Sequence, residues 1–480
     1  MGAIMMFFQG WLLFLVLICC GGGRQVVAWD ANWESLDSRP LPSWYDEGKF
    51  GIFLHWGVFS VPAYGSEWFW QRWHEGHPDY VKFIEETERK RFSYIDYAKR
   101  FDAVFYEPDY WADVFAKSGA QYVVLTSKHH EGFCNWDSRD VPSTWNWNSM
   151  EVGPRRDLLG DLSLAVKNVS SPHTNNTLRF GVYHSLFEWF NTAYRQDQAS
   201  NFTKQDFVNS KTMPELYDLV NKYQPELIWS DGGVDAYSDY WQSKEFLAWY
   251  ATHSPVADTA VWNDRWGRES MCNHGGFLTC ADRYTPGKLV TKKWENALTI
   301  DTTSWGWNRN STYDQYLTTE QLVHMLVETV AFNGNMLLNV GPRADGGIPN
   351  IFVDRLLGMG EWLKVNGDAI YGTRPWDVIQ NETLAHTFFT TKGDLLYAIF
   401  TEWPDESLLS LDYVHPSRTT TITMLGLEDE EIEWSTSSGA DITVHLPLLT
   451  PDIVPCDHAW VLAITDIESG YRKGDIATQK

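Results

Sequence analysis

Leu227 to Gly233 read LIWSDGG, two aliphatics, a tryptophan and a serine followed by a carboxylate with two glycines behind it. Asp before Gly is ordinary turn chemistry, so the stretch by itself leaves turn and reactive group open. Its neighbours decide the fold. KFGIFLHWG, QYVVLTSKHH, RFGVYHSLFEW, TAVWNDRWG and NMLLNVGP are built alike, each apolar at first and polar at its end. Amphipathic stretches separate several of them, EPDYWADVFAKSGA among them. One such stretch carries Thr212 and Glu215 at capping-box spacing, with Leu216, Leu219, Val220 and Tyr223 on one apolar face. Another helix begins near Thr318, with Gln321 three positions on.

The strand ends carry His55, then His129 and His130, Tyr183 and His184, Asp231, and Asn263 with Arg265. In a (β/α)8-like barrel all parallel strands aim their carboxyl ends at one face, where the active site is assembled. A doubly wound sheet is the competing architecture, but no glycine-rich phosphate loop follows any of these strands. Beyond Trp376 the texture changes to short β-rich segments such as DLLYAIFTEW and HAWVLAITDI. They predict a small antiparallel β-sandwich from about Asn381 to Ile467. The expected organisation is a leader over 1–28, a barrel over 29–376, a sandwich over 377–470 and a tail over 471–480.

The 480 residues carry 38 Lys and Arg against 63 Asp and Glu, a net charge of −25. That charge repels polyanions and gives no footing for nucleic acid or an anionic membrane. Aromatics make up 15% of the chain, including 26 tryptophans, and flat apolar rings with polar edges suit stacking against sugar faces. The start, MGAIMMFFQGWLLFLVLICCGGG, is an apolar run followed by small residues, the pattern of a cleaved secretory leader; after cleavage no membrane attachment is expected. Asn-x-Ser/Thr sequons at Asn168, Asn175, Asn201, Asn310 and Asn381 agree with passage through the secretory pathway. Cys272 and Cys280 are spaced to close a short disulfide loop, and no metal-ligand spacing is present.

At a barrel strand end, Asp231 would point into the pocket with Trp229, two positions earlier on the same pleat face. Gly232 and Gly233 would leave room for a ligand to approach the backbone. A carboxylate held ionised in a sugar pocket is the nucleophile of a retaining glycosidase, which needs a second carboxyl as proton donor. Glu67, Glu131, Asp264, Asp282 and Glu295 all qualify by type. Adjacent strand residues such as His129 and His130 should face opposite ways, which argues against a metal pair. Neutral imidazoles serve instead as partners for sugar hydroxyls, while Arg265 offers a fixed charge to orient a carboxylate.

FGIFLHWGVFSVPAYGSEW, YVVLTSKHHEGFCNW, YHSLFEWF, LIWSDGG, NDRWG, KKWENALTIDTTSWGWNRN and GNMLLNVGP follow one another in an order and spacing that resembles the α-L-fucosidases of glycoside hydrolase family 29. The resemblance runs from about Trp29 to Trp376 and continues into the sandwich. It implies a retaining exo-glycosidase that releases terminal α-L-fucose from glycoproteins, glycolipids and oligosaccharides without a cofactor. A catalytically silent, lectin-like fucose binder is the alternative. The resemblance matches Asp231 to the nucleophile, and His55, Glu67, Trp68, His129, His130, Tyr183, Trp229, Arg265 and Trp305 to the lining of the fucose pocket. It makes Asp282, in CADRYTP, the first choice for the acid/base and Glu295, in KKWE, the alternative. It also implies fucosylated glycans as partners, a homo-oligomer, and a lysosomal or extracellular destination. An acidic residue is expected after the WSDG motif, where this chain has Gly233.

Overall fold

A computed structural model describes residues 28–141, 146–427, 430–436 and 441–468. The tail and almost all of the leader predicted from the sequence lie outside them. Seven parallel strands form the N-terminal unit: β1 Phe50–Leu54, β2 Tyr122–Lys128, β3 Arg179–Ser185, β4 Leu227–Asp231, β5 Val261–Trp262, β6 Trp294–Thr299 and β7 Gly334–Val340. Their order is β5-β4-β3-β2-β1-β7-β6. Nearly every strand residue is buried, because helices cover one face and the other is rolled inward. Residues 276–278 stand at the seam between β5 and β6, where an eighth strand would lie. Gly276 donates its N–H to the Trp262 carbonyl, Leu278 donates to Lys293, and Glu295 donates back to Leu278.

Phe53, Tyr122, Val124, Tyr183, Leu227, Trp229, Val261, Phe277, Ala297 and Leu337 pack inside the barrel. A larger apolar layer joins the outer strand faces to the surrounding helices. The helix Thr319–Ala331 starts as its sequence predicts. Gln321 N–H donates to Thr318 Oγ1 at 3.2 Å, and Thr318 N–H donates to Gln321 Oε1 at 2.9 Å. Thr212 behaves differently. Its backbone is already helical, because a wide turn over Val208–Thr212 runs straight into Met213–Tyr223. Its hydroxyl donates to the Leu186 carbonyl, and Glu215 is fully buried against Lys128 at 2.6 Å and Lys211 at 2.9 Å. The spacing of a capping box was present, but tertiary ion pairing took the glutamate.

The C-terminal unit holds two antiparallel sheets. One joins β8 Arg374–Pro375, β9 Asn381–Glu382, β10 Thr387–Lys392, β11 Leu395–Phe400, β13 Ile422–Met424 and β16 Trp460–Ile464; the other joins β12 Leu408–Leu411, β14 Trp434–Thr436 and β15 Ile442–His445. They enclose a separate apolar core. β8 pairs with β10, so this sheet takes its first strand from just before Trp376. The unit is tied to the barrel helices by Trp362 Nε1 donating to the Ala459 carbonyl at 2.9 Å. Among the described residues no helix is long and apolar enough to cross a membrane.

Candidate active site

The carboxyl ends of the strands open into a cavity of about 270 Å³ lined by Phe53, His55, Glu67, Trp68, His129, His130, Tyr183, Phe187, Trp229, Asp231, Gly232, Val234, Asp235, Arg265, Asp282 and Trp305. That is small beside the roughly 300–1,000 Å³ of sites for drug-sized ligands and fits a single terminal sugar unit. The nine residues that the resemblance matched to the pocket all line it, whereas the strand-end residues His184 and Asn263 do not.

Asp231 is the last residue of β4, and the register sets Tyr183 beside Trp229 and Ser185 beside Asp231. The Tyr183 and Trp229 rings stack at 5.7 Å and 22°. Tyr183 Oη donates to Asp231 Oδ2 at 2.9 Å, His130 Nε2 lies 3.5 Å from the same oxygen, and Arg265 Nη1 donates to Oδ1 at 3.2 Å. Burial by itself would raise the Asp231 pKa. The His130 contact, the Arg265 charge and the Tyr183 phenol outweigh burial and hold the carboxyl below the usual aspartate range. The side chain remains 23% exposed toward the cavity, so the group is ionised, oriented and reachable.

Gly232 has φ +78°, and a Cβ there would fall 2.3 Å from the Phe187 ring. A Cβ on Gly233 would meet the Arg265 carbonyl and the Gly267 nitrogen at 2.8 Å. Gly233 therefore admits protein backbone rather than a ligand, while Gly232 both accommodates the Phe187 ring and lines the cavity. Phe187 in turn stacks on His130 at 4.5 Å and 7°.

His129 and His130 both line the cavity, with ring centroids 4.3 Å apart. The expectation that they face opposite ways fails because β2 ends at Lys128 and the chain is already turning, so strand alternation no longer applies. His130 Nδ1 lies 2.6 Å from Ser185 Oγ, and His129 Nδ1 lies 3.3 Å from Glu131 Oε2. His55 contacts Asn339 Oδ1 at 2.7 Å. Burial, then the neighbouring His129, lowers the His55 pKa to about 3, and the same two causes lower that of His130. The His55 imidazole therefore stays neutral in mild acid, as a partner for hydroxyl groups should.

Glu67 Oε2 accepts from Ser304 Oγ at 3.2 Å and from the Trp305 and Gly306 N–H groups at 3.1 Å. It thereby fixes the loop that presents the Trp305 ring, which sits 5.1 Å from His55. Trp68 forms the rim, 37% exposed and 5.0 Å from Trp189. Asn263 does not reach the cavity; its side chain is spent on Ser230.

The remaining acids separate cleanly. Asp282 lines the cavity, its side chain 46% exposed, and accepts from Arg265 Nη2 at 2.6 Å. Glu295 sits one residue into β6, at the opposite end of the barrel interior, and is fully buried. It accepts from Tyr45 Oη at 2.7 Å, Tyr122 Oη at 2.9 Å and Trp229 Nε1 at 2.9 Å. This corrects its standing as an alternative proton donor, since three protein donors occupy it and it does not line the cavity. Asp264 and Glu131 are likewise buried outside the lining.

Phe53, Phe187, Val234 and Asp235 were not foreseen. Phe53 shares its pleat face with the strand-end His55, so strand period alone could have found it. The other three lie in loops after β3 and β4, where sequence gives no direction. Cys272 and Cys280 form a disulfide. Asn168, Asn175, Asn201 and Asn310 are exposed and Asn381 is half-buried.

The chain matches the α-L-fucosidase family model over residues 23–368 and the α-L-fucosidase C-terminal domain model over 380–465. It is 46% identical to human tissue α-L-fucosidase, covering 95% of this chain and 97% of that one. It is 49% identical to human plasma α-L-fucosidase, with 91% and 92% covered. The crystal structure of Thermotoga maritima α-fucosidase in complex with fucose superposes with a TM-score of 0.74 at 32% identity, covering 91% of this chain and 100% of that one.

Proposed function

The chain belongs to the α-L-fucosidase family, glycoside hydrolases acting on fucose, and from that premise we propose that it releases terminal α-L-fucose with retention, Asp231 serving as nucleophile and Asp282 as acid/base. The observation that carries the assignment is the shared guanidinium. Arg265 holds Asp231 through Nη1 and Asp282 through Nη2 at the mouth of one cavity. Such an arrangement supports the short carboxyl separation of a retaining pair, about 5–5.5 Å.

In the first step an Asp231 oxygen bonds to the anomeric carbon while Asp282 gives its proton to the departing glycosidic oxygen. The products are an alcohol and a fucosyl ester on Asp231. In the second step the Asp282 carboxylate takes a proton from water, the water oxygen bonds to the anomeric carbon, and the ester bond breaks to restore Asp231. Positive charge developing on the ring faces the ionised Asp231, while the neutral His55 adds no opposing charge. The silent, lectin-like alternative finds no support in relatives that match over nearly the whole chain and are named α-L-fucosidases.

The disulfide and the exposed sequons support an oxidising secretory route to a lysosomal or extracellular destination. The deciding experiment is release of fucose from an aryl α-L-fucoside, with the first-formed anomer read by NMR. Asp231→Gly should abolish release and azide should restore it as fucosyl azide. Surviving activity in the glycine variant places the nucleophile elsewhere.

A further inference from the structure

Asp264 touches neither the cavity nor the two reacting carboxylates, yet it is wholly buried directly behind them. Both of its oxygens are engaged. Oδ1 accepts the Thr279 hydroxyl at 2.5 Å, and Oδ2 accepts the backbone N–H groups of Cys272 at 2.8 Å and Cys280 at 3.1 Å. With its proton committed to Asp264, the Thr279 oxygen offers a lone pair, and Arg265 Nε donates to it at 3.0 Å. The rest of the same guanidinium grips Asp231 and Asp282. Its face lies over Trp229, with Cζ 4.6 Å from the ring centroid.

We propose that Asp264 and Thr279 are positioning residues for hydrolysis, acting through Arg265 to set the orientation of both the nucleophile and the acid. Three physical points support this. A guanidinium is planar and its donors are fixed in a fork, so holding Nε and stacking the face determines where Nη1 and Nη2 point. Among the described residues the guanidinium otherwise donates to the two groups that must change during the reaction: Asp231, which becomes an ester, and Asp282, which must present a proton to the leaving oxygen. A separate, unchanging anchor is needed to keep the fork in place through both steps, and the Thr279 hydroxyl is the only such contact on Nε among the described residues. Finally, Asp264 holds both cysteines of the Cys272–Cys280 loop by their backbones, and Asp282 follows Cys280 by two residues. One buried carboxylate therefore fixes the arginine through Thr279 and the acid through the loop that carries it.

This inference rests on the assignment of Asp231 and Asp282 above, and its test is built to fail separately. Thr279→Val keeps the shape and removes the hydroxyl, and Thr279→Ala is a second variant in case the first packs poorly. Turnover of an aryl fucoside and of a fucosylated disaccharide is measured per active site, the sites being counted with a covalent mechanism-based inhibitor so that misfolded protein drops out. The expected result is a fall in kcat per site of about 10- to 100-fold with KM little changed, and recovery of most of it in Thr279→Ser. A per-site loss under about fivefold, or one that Thr279→Ser does not restore, overturns the proposal. Should Asp282→Ala leave the disaccharide as good a substrate as before, it is the acid assignment that falls, whatever the Thr279 variants do.

Discussion

Trp229 donates its indole N–H to the buried carboxylate of Glu295 at 2.9 Å while its ring forms part of the cavity wall above. A residue that sequence puts forward as a proton donor is thus a support for the wall, and its protonation becomes a matter of stability. Burial raises the Glu295 pKa to about 7 from the ordinary 4.5, against the opposing pull of its three hydrogen-bond donors. The folded value lies above the unfolded one, so the stabilisation is complete below pH 4.5 and is lost as the pH climbs to about 7. The span corresponds to something on the order of 3 kcal/mol. Glu295→Gln should remove this pH dependence of unfolding between those limits and retain hydrolysis of substrates with poor leaving groups. Selective loss of those substrates would return Glu295 to the chemistry.

Tyr183→Phe removes the phenol proton donated to Asp231. Asp231 sits below the usual aspartate value of 3.8, held there against burial by His130, Arg265 and this phenol. The nucleophile is therefore ionised throughout mild acid, and its contribution to the acid limb of kcat/KM lies below that value. A hydrogen bond to a charged group contributes about 1.5–3 kcal/mol, so without it the limb should move up by about one to two pH units. A kcat/KM profile across acid pH reads this directly, and an unmoved limb would mean the phenol does not stabilise the anion.

Much of the site was legible because its parts stand at the ends of strands. His55, Tyr183, Trp229 and Asp231 are fixed by period-two alternation on strands whose direction the βα pattern gives. Glu295 and Asp282 could not be told apart by type, although one signal was there: Glu295 is the second residue of WENALT, at the start of a strand, and a strand start faces away from the catalytic end. The roles of Gly232, Phe187 and Asp264 were illegible because each depends on a partner from another loop, brought close only by tertiary packing. The seam at residues 276–278 is illegible for a similar reason, since a segment bonded at isolated positions leaves no periodic trace.

Gly232→Ala should be far more damaging than a methyl group suggests. The position has φ +78°, and the added carbon would lie 2.3 Å from the Phe187 ring. The left-handed backbone alone costs about 1–2 kcal/mol for a residue with a Cβ. Phe187 would have to leave its stack on His130, which sits against Asp231. Thermal unfolding should show the loss of stability, and turnover of an aryl fucoside should drop by about 10- to 100-fold. Retained turnover would show that the Phe187 stack has no bearing on His130.

The loop carrying Asp282 is constrained twice, by the Cys272–Cys280 bond and by the two backbone N–H groups bound to Asp264. Replacing both cysteines by serine removes the first constraint and leaves the second. With a sequence separation of 8, the lost cross-link should cost about 2–3 kcal/mol through the freedom restored to the unfolded chain. Because the Asp264 contacts persist, the double variant should still turn over at 25 °C, with its deficit widening on heating as the loop opens more often. Inactivation half-lives of the wild type with and without a thiol reductant, set beside those of the double variant, check this. If reduction leaves the wild-type half-life unchanged while the variant is short-lived, the serines rather than the missing bond are at fault, and the loop is held by Asp264 alone.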